Sequence, residues 1–157
     1  LFIGDGMSVP QRMVAEEYAR YAGQSGLAIN AFLHQGMTRT MSRGLKTTDS
    51  AASATAIACG EKTENGRLGI DANGKNLESV AYLAKRNGKK VGIVTSVAIN
   101  HATPGGFYAH RLSRGEYYEI SLDMIASNFD YFGGGYAAKH DRASFCIYRG
   151  KQMGRTT

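Results

Sequence analysis

Apolar and polar residues alternate along the N-terminal third with spacings that predict a strand, a helix and a second strand. Residues 1–3 form an apolar run before Gly4, Asp5 and Gly6, which predicts the end of a buried strand running into a tight turn. A helix is expected next, with Ser8 as its cap, Pro10 in its first turn and its end at Tyr21 or Ala22. Residues 37–41 alternate with period two, which favours a strand.

The middle of the chain predicts two more helices. Residues 47–49, Thr-Thr-Asp, supply cap side chains for a helix of small residues that runs through Cys59 and ends at Gly60. Residues 71–74 predict a turn. The apolar positions from 77 to 84 then mark one helical face, which stops at Asn87 and Gly88.

The remaining elements extend the alternation of strands and helices. Residues 91–94 predict a buried strand, His101 to Pro104 the start of a helix, residues 116–126 a further helix, and residues 131–132 a short strand. This order predicts an α/β protein whose parallel-rich central sheet is flanked by helices. Ligands of such sheets bind beyond the carboxyl ends of the strands, where Asp5 and the segment after residue 94 are expected.

Length and composition fit a globular protein. The 157 residues suffice for one compact core, so we predict a single domain over residues 1–157, with no structure assigned to the tail 138–157. The first residue, Leu1, lies in an apolar run without an initiator Met, from which we expect that the sequence starts inside a longer chain. No apolar stretch is long enough to predict a membrane span.

Charge favours an anionic partner without selecting one. Nineteen Lys and Arg residues against thirteen Asp and Glu residues give a net charge of +6. The basic residues are scattered rather than gathered in the stripes with aromatic residues that nucleic-acid binding produces, so nucleic acid is not the expected partner. A small phosphorylated anion is equally compatible with this charge. The cysteines, Cys59 and Cys146, lack the pairing of a zinc site and are expected to be free thiols.

Residues 48–56 are the segment with the clearest chemical potential. A hydroxyl, Ser50, stands at the predicted helix start, where free amides and a partial positive charge suit a phosphate and an alkoxide. The small side chains that follow let another group approach closely. The alternative is a capped helix packed tightly in the core.

Three segments together resemble the alkaline phosphatase family. Residues 49–56, Asp-Ser-Ala-Ala-Ser-Ala-Thr-Ala, resemble its nucleophile signature, and residues 3–7, Ile-Gly-Asp-Gly-Met, its metal-binding start. Residues 100–104, Asn-His-Ala-Thr-Pro, and 108–114, Tyr-Ala-His-Arg-Leu-Ser-Arg, are similar to its magnesium and phosphate-arginine region. The resemblance runs to about residue 135. It implies an incomplete alkaline-phosphatase-like fold and hydrolysis of phosphate monoesters, with two zinc ions and one magnesium ion in the complete enzyme.

The resemblance also implies roles for individual residues. Ser50 would be the nucleophile that becomes phosphorylated and would bind one zinc ion. Asp5 would bridge that zinc and the magnesium, and Thr103 would bind magnesium through its hydroxyl. Without the resemblance, Asp5 would be read as an aspartate in a glycine-rich turn and Thr103 as a helix N-cap before Pro104.

Two further positions complete the implied site. Arg114 would clamp two phosphate oxygens and Asp49 would orient its guanidinium, with Arg111 as the competing arginine one helical turn away. His101 would lie close to the magnesium without necessarily binding it. The other histidines, His34, His110 and His140, are expected to be surface or hydrogen-bonded core residues.

The sequence departs from the family pattern after residue 135. The family's remaining zinc ligands, and its magnesium glutamate, come from segments that this chain does not contain, so we expect the chain alone to bind metal poorly. The alternative function is therefore a truncated, catalytically silent fragment that binds phosphate or a protein. A related diesterase or sulfatase is less favoured because its nucleophile is usually threonine or a modified cysteine. The resemblance further implies a periplasmic or secreted protein and allows a homodimer.

Overall fold

A computed structural model describes residues 1–44 and 46–135 together with the backbone of two later strands, Cys146–Arg149 and Gln152–Arg155. Most of the tail for which no structure was predicted lies outside these residues, as does His140. The chain divides into two compact units, Leu1–Arg39 and Thr40–Thr157, and each is described by itself. The single domain over residues 1–157 stays a prediction.

The first unit contains one helix, α1 (Val9–Tyr21), and a short 3-10 turn, Ala28–Ala31. Ser8 is the N-cap residue, as predicted, but its hydroxyl bonds the Gln11 side chain instead of a helix amide. Glu16 connects helix and turn, because its Oε2 accepts hydrogen bonds from Leu27 N at 2.7 Å and Asn30 Nδ2 at 2.9 Å. These bonds lower the pKa of the Glu16 carboxyl, with the Leu27 amide as the main cause.

The prediction of two strands, over residues 1–3 and 37–41, is wrong. Residues 1–3 have no strand conformation, and Leu1 and Phe2 are exposed. Of residues 37–41, only Met41 forms a bridge, with Thr47. An alternating or apolar pattern supplies side chains suited to a sheet, but a strand exists only where a neighbouring backbone pairs with it.

The second unit contains four helices and four strands among its described residues. The helices are α2 (Ser50–Cys59), α3 (Val80–Arg86), α4 (Ala102–Gly105) and α5 (Tyr117–Ala126), and the strands are β1 (Gly92–Ala98), β2 (Tyr131–Gly135), β3 (Cys146–Arg149) and β4 (Gln152–Arg155). The sheet order is β1-β2-β3-β4, in which β1 and β2 are parallel and the other pairs antiparallel. The predicted α/β class is confirmed, since the parallel pair is connected through α4 and α5.

Local sequence explains where α2 and α3 begin and end. Asp49 caps α2 by accepting a hydrogen bond from Ala52 N, and Gly60 ends it with a φ of 74°, a left-handed conformation that glycine adopts without strain. Ser79 caps α3 by accepting a bond from Tyr82 N at 3.3 Å. Among the described residues, no helix combines the length and the hydropathy required to cross a bilayer.

The buried core joins the sheet to the loops that follow β1 and α4. Its largest fully buried apolar side chains are Tyr108, Phe129, Phe132, Leu68, Ile99 and Ile120. Tyr108 packs edge-on against Phe132 at 5.4 Å and donates a hydrogen bond to Ile99 O at 2.5 Å. The end of β1 and the loop after α4 are thereby fixed to one another.

The small residues of α2 allow the segment after α4 to approach its backbone. A Cβ atom placed on Gly106 would lie 2.7 Å from Ala54 Cβ and 3.1 Å from the Ala54 carbonyl carbon, closer than real contacts allow. Ala51, Ala54 and Ala58 are all buried. The sequence predicts that another group can approach the small side chains of α2 closely. In the structure, the backbone at Gly106 makes such an approach.

Candidate active site

Ser50 is the first residue of α2 and follows directly on the N-cap residue Asp49. Its side chain is half-buried. The amides of a first helical turn have no partners within the helix and carry the positive end of its dipole. The hydroxyl therefore stands where negative charge is stabilised.

The carboxylate of Asp49 is held by three N–H donors. Its Oδ1 accepts from Ala52 N at 2.9 Å, while its Oδ2 accepts from Gly66 N at 3.0 Å and from Arg114 Nη1 at 3.2 Å. Both oxygens are thus engaged by nitrogen donors. In this geometry Asp49 suits the orientation of an arginine better than the binding of a metal ion.

Arg114 contacts two side chains through its guanidinium and one carbonyl through its backbone. Its Nη1 contacts Asp49, its Nη2 donates to His101 Nε2 at 3.3 Å, and its backbone N donates to Gly66 O at 2.7 Å. About a third of its side chain, 32%, is exposed. Because a guanidinium has no acceptor, Nε2 of His101 must accept this bond, which assigns the proton of a neutral imidazole to Nδ1.

Arg111 has a different environment. Its Nε and Nη2 donate to the two carboxylate oxygens of Asp123 at 2.8 and 2.5 Å. The hydrogen bond to Asp123 raises the pKa of Arg111 further above its ordinary value. Arg111 is consequently committed to a structural ion pair, whereas Arg114 lies beside the residue that precedes Ser50.

Sequence reasoning missed the turn at Asn65 and Gly66. Asn65 Oδ1 accepts from Asp49 N at 3.2 Å, and its Nδ2 donates to Thr47 O at 2.9 Å. Gly66 has a φ of 86° and bonds both Asp49 and Arg114 through its backbone. The Asn-Gly pair itself signals a turn, but nothing in the sequence links that turn to Asp49.

Thr103 lies within α4, the helix that packs on α2, and its side chain is half-buried. The N-cap residue of α4 is His101, so the alternative role of Thr103 as an N-cap is wrong. Thr103 is instead the second residue of α4.

Asp5 belongs to the first unit, where it is exposed. The turn around it is closed by a hydrogen bond from Met7 N to Gly4 O at 3.2 Å, and Gly6 follows with a φ of 72°. This is the glycine-rich turn that the sequence predicts. The metal role of Asp5 stays a prediction.

Two other histidines agree with the expectation of ordinary surface or core residues. His34 is exposed in the first unit. His110 is half-buried, stacks on Tyr82 at 5.9 Å and contacts Leu77 O through Nε2 at 3.0 Å. Because a carbonyl oxygen only accepts, this contact fixes a proton on Nε2.

The part of the chain that the structure describes contains no group of three or more His, Cys, Asp or Glu side chains that could hold a metal ion. The donors around Asp49 also leave its oxygens unsuited to that purpose. The ligand roles of Ser50, Thr103 and Asp5 stay predictions.

Comparison with known proteins gives a consistent result. The family model for alkaline phosphatase matches residues 1–133. An alkaline phosphatase of Gadus morhua is 35% identical over 141 residues, which cover 80% of this chain and 30% of that protein. The solved alkaline phosphatase from the Antarctic bacterium TAB5 superposes with a TM-score of 0.74 at 37% identity, over 85% of this chain and 38% of that one.

A mutant of the TAB5 enzyme was solved with Mg bound, and it matches with a TM-score of 0.69 at 37% identity, over 78% of this chain and 36% of that one. The chain spans less than a third of the length of the curated relatives it matches. Sequence match and fold agree over most of the chain. The chain belongs to the alkaline phosphatase family.

Proposed function

We propose that the protein carrying this chain hydrolyses phosphate monoesters and that Ser50 is its nucleophile. The observation that supports this most directly is the position of Ser50 at the start of α2, next to an aspartate that holds Arg114. In the first displacement, Oγ of Ser50 forms a bond to phosphorus and the ester oxygen leaves. In the second, water attacks the phosphoserine and releases phosphate.

The geometry of Arg114 supports a role in binding the phosphoryl group. Asp49 and His101 each accept one N–H from a different terminal nitrogen of its guanidinium. A guanidinium has five N–H donors, and each terminal nitrogen has a second one. Three donors therefore remain, one on each terminal nitrogen and one on Nε, which suffices for a bidentate contact with two phosphate oxygens.

A serine hydroxyl is a weak nucleophile at neutral pH and needs activation. The nearby imidazole does not supply it in this geometry, because Nε2 of His101 already accepts a bond from Arg114. Bound divalent metal ions would lower the pKa of the Ser50 hydroxyl and would neutralise the negative charge that develops during the reaction. We propose Asp5, Ser50 and Thr103 as this chain's contribution to a site for zinc and magnesium.

The test compares Ser50→Ala with Ser53→Ala in the intact gene product. Ser53 is a matched control, since it lies in the same helix and its hydroxyl bonds the Asp49 carbonyl. Metal-dependent turnover of p-nitrophenyl phosphate should fall by a factor on the order of 10³ or more in Ser50→Ala, the scale expected for loss of a nucleophile. Turnover of Ser53→Ala should stay close to that of the parent.

Undiminished hydrolysis by Ser50→Ala would refute the proposal. A parent protein that binds phosphate but shows no metal-dependent turnover would instead support the alternative of a catalytically silent phosphate-binding fragment. Export to the periplasm or outside the cell, and a homodimer, remain part of the proposal on family grounds alone.

A further inference from the structure

We propose that the turn around Asn65 and Gly66 positions the phosphate-binding arginine relative to the nucleophile. The inference rests on the proposed function, because it assigns the turn a task within that site. Arg67 N donates to Glu64 O at 3.3 Å and closes a four-residue turn with Asn65 and Gly66 at its centre. Both ends of the Asn65 amide bond the backbone and Gly66 has no side chain, so the contribution we assign to them is geometric.

One side of the turn holds the approach to α2. Asn65 bonds the backbone of Thr47 and of Asp49 through the two ends of its amide, at 2.9 and 3.2 Å. Gly66 N donates to Asp49 Oδ2 at 3.0 Å. The segment that leads into Ser50 is therefore fixed by three bonds from two adjacent residues.

The other side of the turn holds the arginine segment. Gly66 O accepts from Arg114 N at 2.7 Å, and Leu68 exchanges two backbone bonds with Arg111, both at 2.9 Å. Gly66 thus binds Asp49 with its N–H and Arg114 with its carbonyl. Gly66 is therefore a backbone link between the start of the nucleophile helix and the arginine segment, in addition to the direct contact of Arg114 with Asp49.

The far end of the turn is anchored to the interior of α2. Thr55, which is fully buried, donates to Arg67 O at 3.3 Å and accepts from Gly69 N at 3.0 Å. The turn therefore cannot move as a whole without breaking buried bonds. Asn65 itself is exposed, so its removal should change local geometry more than overall stability.

A second Asn-Gly pair provides a matched control. Asn73 and Gly74 are the last two residues of another turn, both are exposed, and Gly74 has a φ of 84° against 86° for Gly66. The Asn73 turn is closed by Asp71, through a bond from Gly74 N to Asp71 O at 3.2 Å. The two pairs share residue types and the left-handed φ of the glycine, and among the hydrogen bonds given above only the first pair contacts Asp49 and Arg114.

The experiment measures phosphate affinity in Asn65→Ala, Asn73→Ala, Arg114→Ala and the double variant Asn65→Ala/Arg114→Ala of the intact protein. The probes are inorganic phosphate as a competitive inhibitor of p-nitrophenyl phosphate hydrolysis and as a calorimetric ligand. Asn65→Ala removes both side-chain bonds of the turn, and the resulting misplacement of Arg114 should weaken phosphate binding about three- to tenfold, the scale of one hydrogen bond to the ligand. Asn73→Ala should change phosphate affinity less than about twofold. The melting temperatures of Asn65→Ala and Asn73→Ala should be similar.

The double variant identifies the cause. If Asn65 acts through Arg114, its substitution should have little further effect once Arg114 is absent. An effect of Asn65→Ala equal to that of Asn73→Ala, or one that persists undiminished without Arg114, would overturn the inference. Failure of the proposed function is a separate result, in which Ser50→Ala retains turnover. The phosphate affinities of the single and double variants, measured by calorimetry, would still decide the role of Asn65.

Discussion

At the scale of single residues, Arg111 and Arg114 show how two identical side chains three positions apart acquire different tasks. Arg111 makes a two-point contact with Asp123, whose side chain is only 19% exposed. Arg114 meets Asp49 through one bond, and His101 accepts a second. The first arginine forms a two-point ion pair within the fold, and the second is the one to which we assign phosphate binding.

Substitution should separate these tasks. Arg114→Ala should weaken inhibition by inorganic phosphate by about tenfold or more, with a small change in stability, because a bidentate charged contact is lost from the site. Arg111→Ala should lower the free energy of unfolding by about 2 kcal/mol, because the Asp123 carboxylate loses both of its guanidinium bonds. Phosphate inhibition constants and urea unfolding of both variants measure the difference. Equal effects of the two substitutions on phosphate inhibition would contradict it.

The sequence predicts some of these residues and not others for a physical reason. Asp49 and Ser50 are identifiable because helix capping is local and leaves a short pattern. The choice between Arg111 and Arg114 depends on Asp123, which lies on a different element and has no sequence relation to either arginine. The role of Asn65 was not predicted for the same reason, because its hydrogen-bond partners lie in an earlier loop.

At the scale of elements, hydrophobic spacing and caps located the helices well and the strands less well. The helices α1, α2 and α5 lie within a residue or two of their predicted bounds, as their periodicity and caps are local. The strands β1 and β2 were also found, but residues 1–3 and 37–40 form none. Strand formation depends on a distant partner, which a single segment does not reveal.

The contact between α2 and the segment after α4 gives a prediction at this scale. Gly106→Ala should destabilise the protein by about 1–3 kcal/mol, because the new methyl group would overlap Ala54 and its backbone. Gly115→Ala is the control, since the nearest atom to its added carbon is Ser113 Oγ at 3.4 Å. Thermal unfolding of both variants tests this prediction. Equal stability of the two variants would show that the close contact between Gly106 and Ala54 does not require a glycine.

At the scale of the whole molecule, Asp130 joins elements that are distant in sequence. Its carboxylate accepts from Lys85 Nζ at 2.8 Å, Val91 N at 2.9 Å and Lys90 Nζ at 3.1 Å, which connects α3 and the start of β1 to the start of β2. The Lys85 hydrogen bond is the main cause that lowers the pKa of Asp130, followed by the Val91 amide.

A lowered carboxyl pKa predicts a pH dependence of stability. The stabilising contribution of Asp130 is present above the ordinary aspartate pKa of about 3.9 and is lost as the pH falls toward the lower folded value. Asp130→Asn should thus be less stable than the parent at pH 7, and the gap should narrow below about pH 4. Glu78→Gln, which breaks the exposed pair with Arg86, is the control. A gap for Asp130→Asn that stays constant from pH 7 to pH 3 would argue against the assignment.

The family assignment concerns most of this chain but a minor share of its relatives' length. Ser50, Asp49, Arg114, His101 and Thr103 lie in the second unit, whereas Asp5 lies in the first. The α/β class followed from the alternation of elements, whereas the activity of the whole protein stays a proposal. Catalysis by Ser50 is accordingly the claim that most needs direct measurement.

That measurement is the location of the phosphoryl group during turnover. The intact protein is mixed with a phosphate monoester, quenched in acid and digested, and the peptides are analysed by mass spectrometry. The account predicts one phosphorylated peptide, modified at Ser50, which is absent when Ser50 is replaced by alanine. Phosphate on another residue, or rapid hydrolysis in the same sample with no phosphoserine under any quench condition, would contradict it.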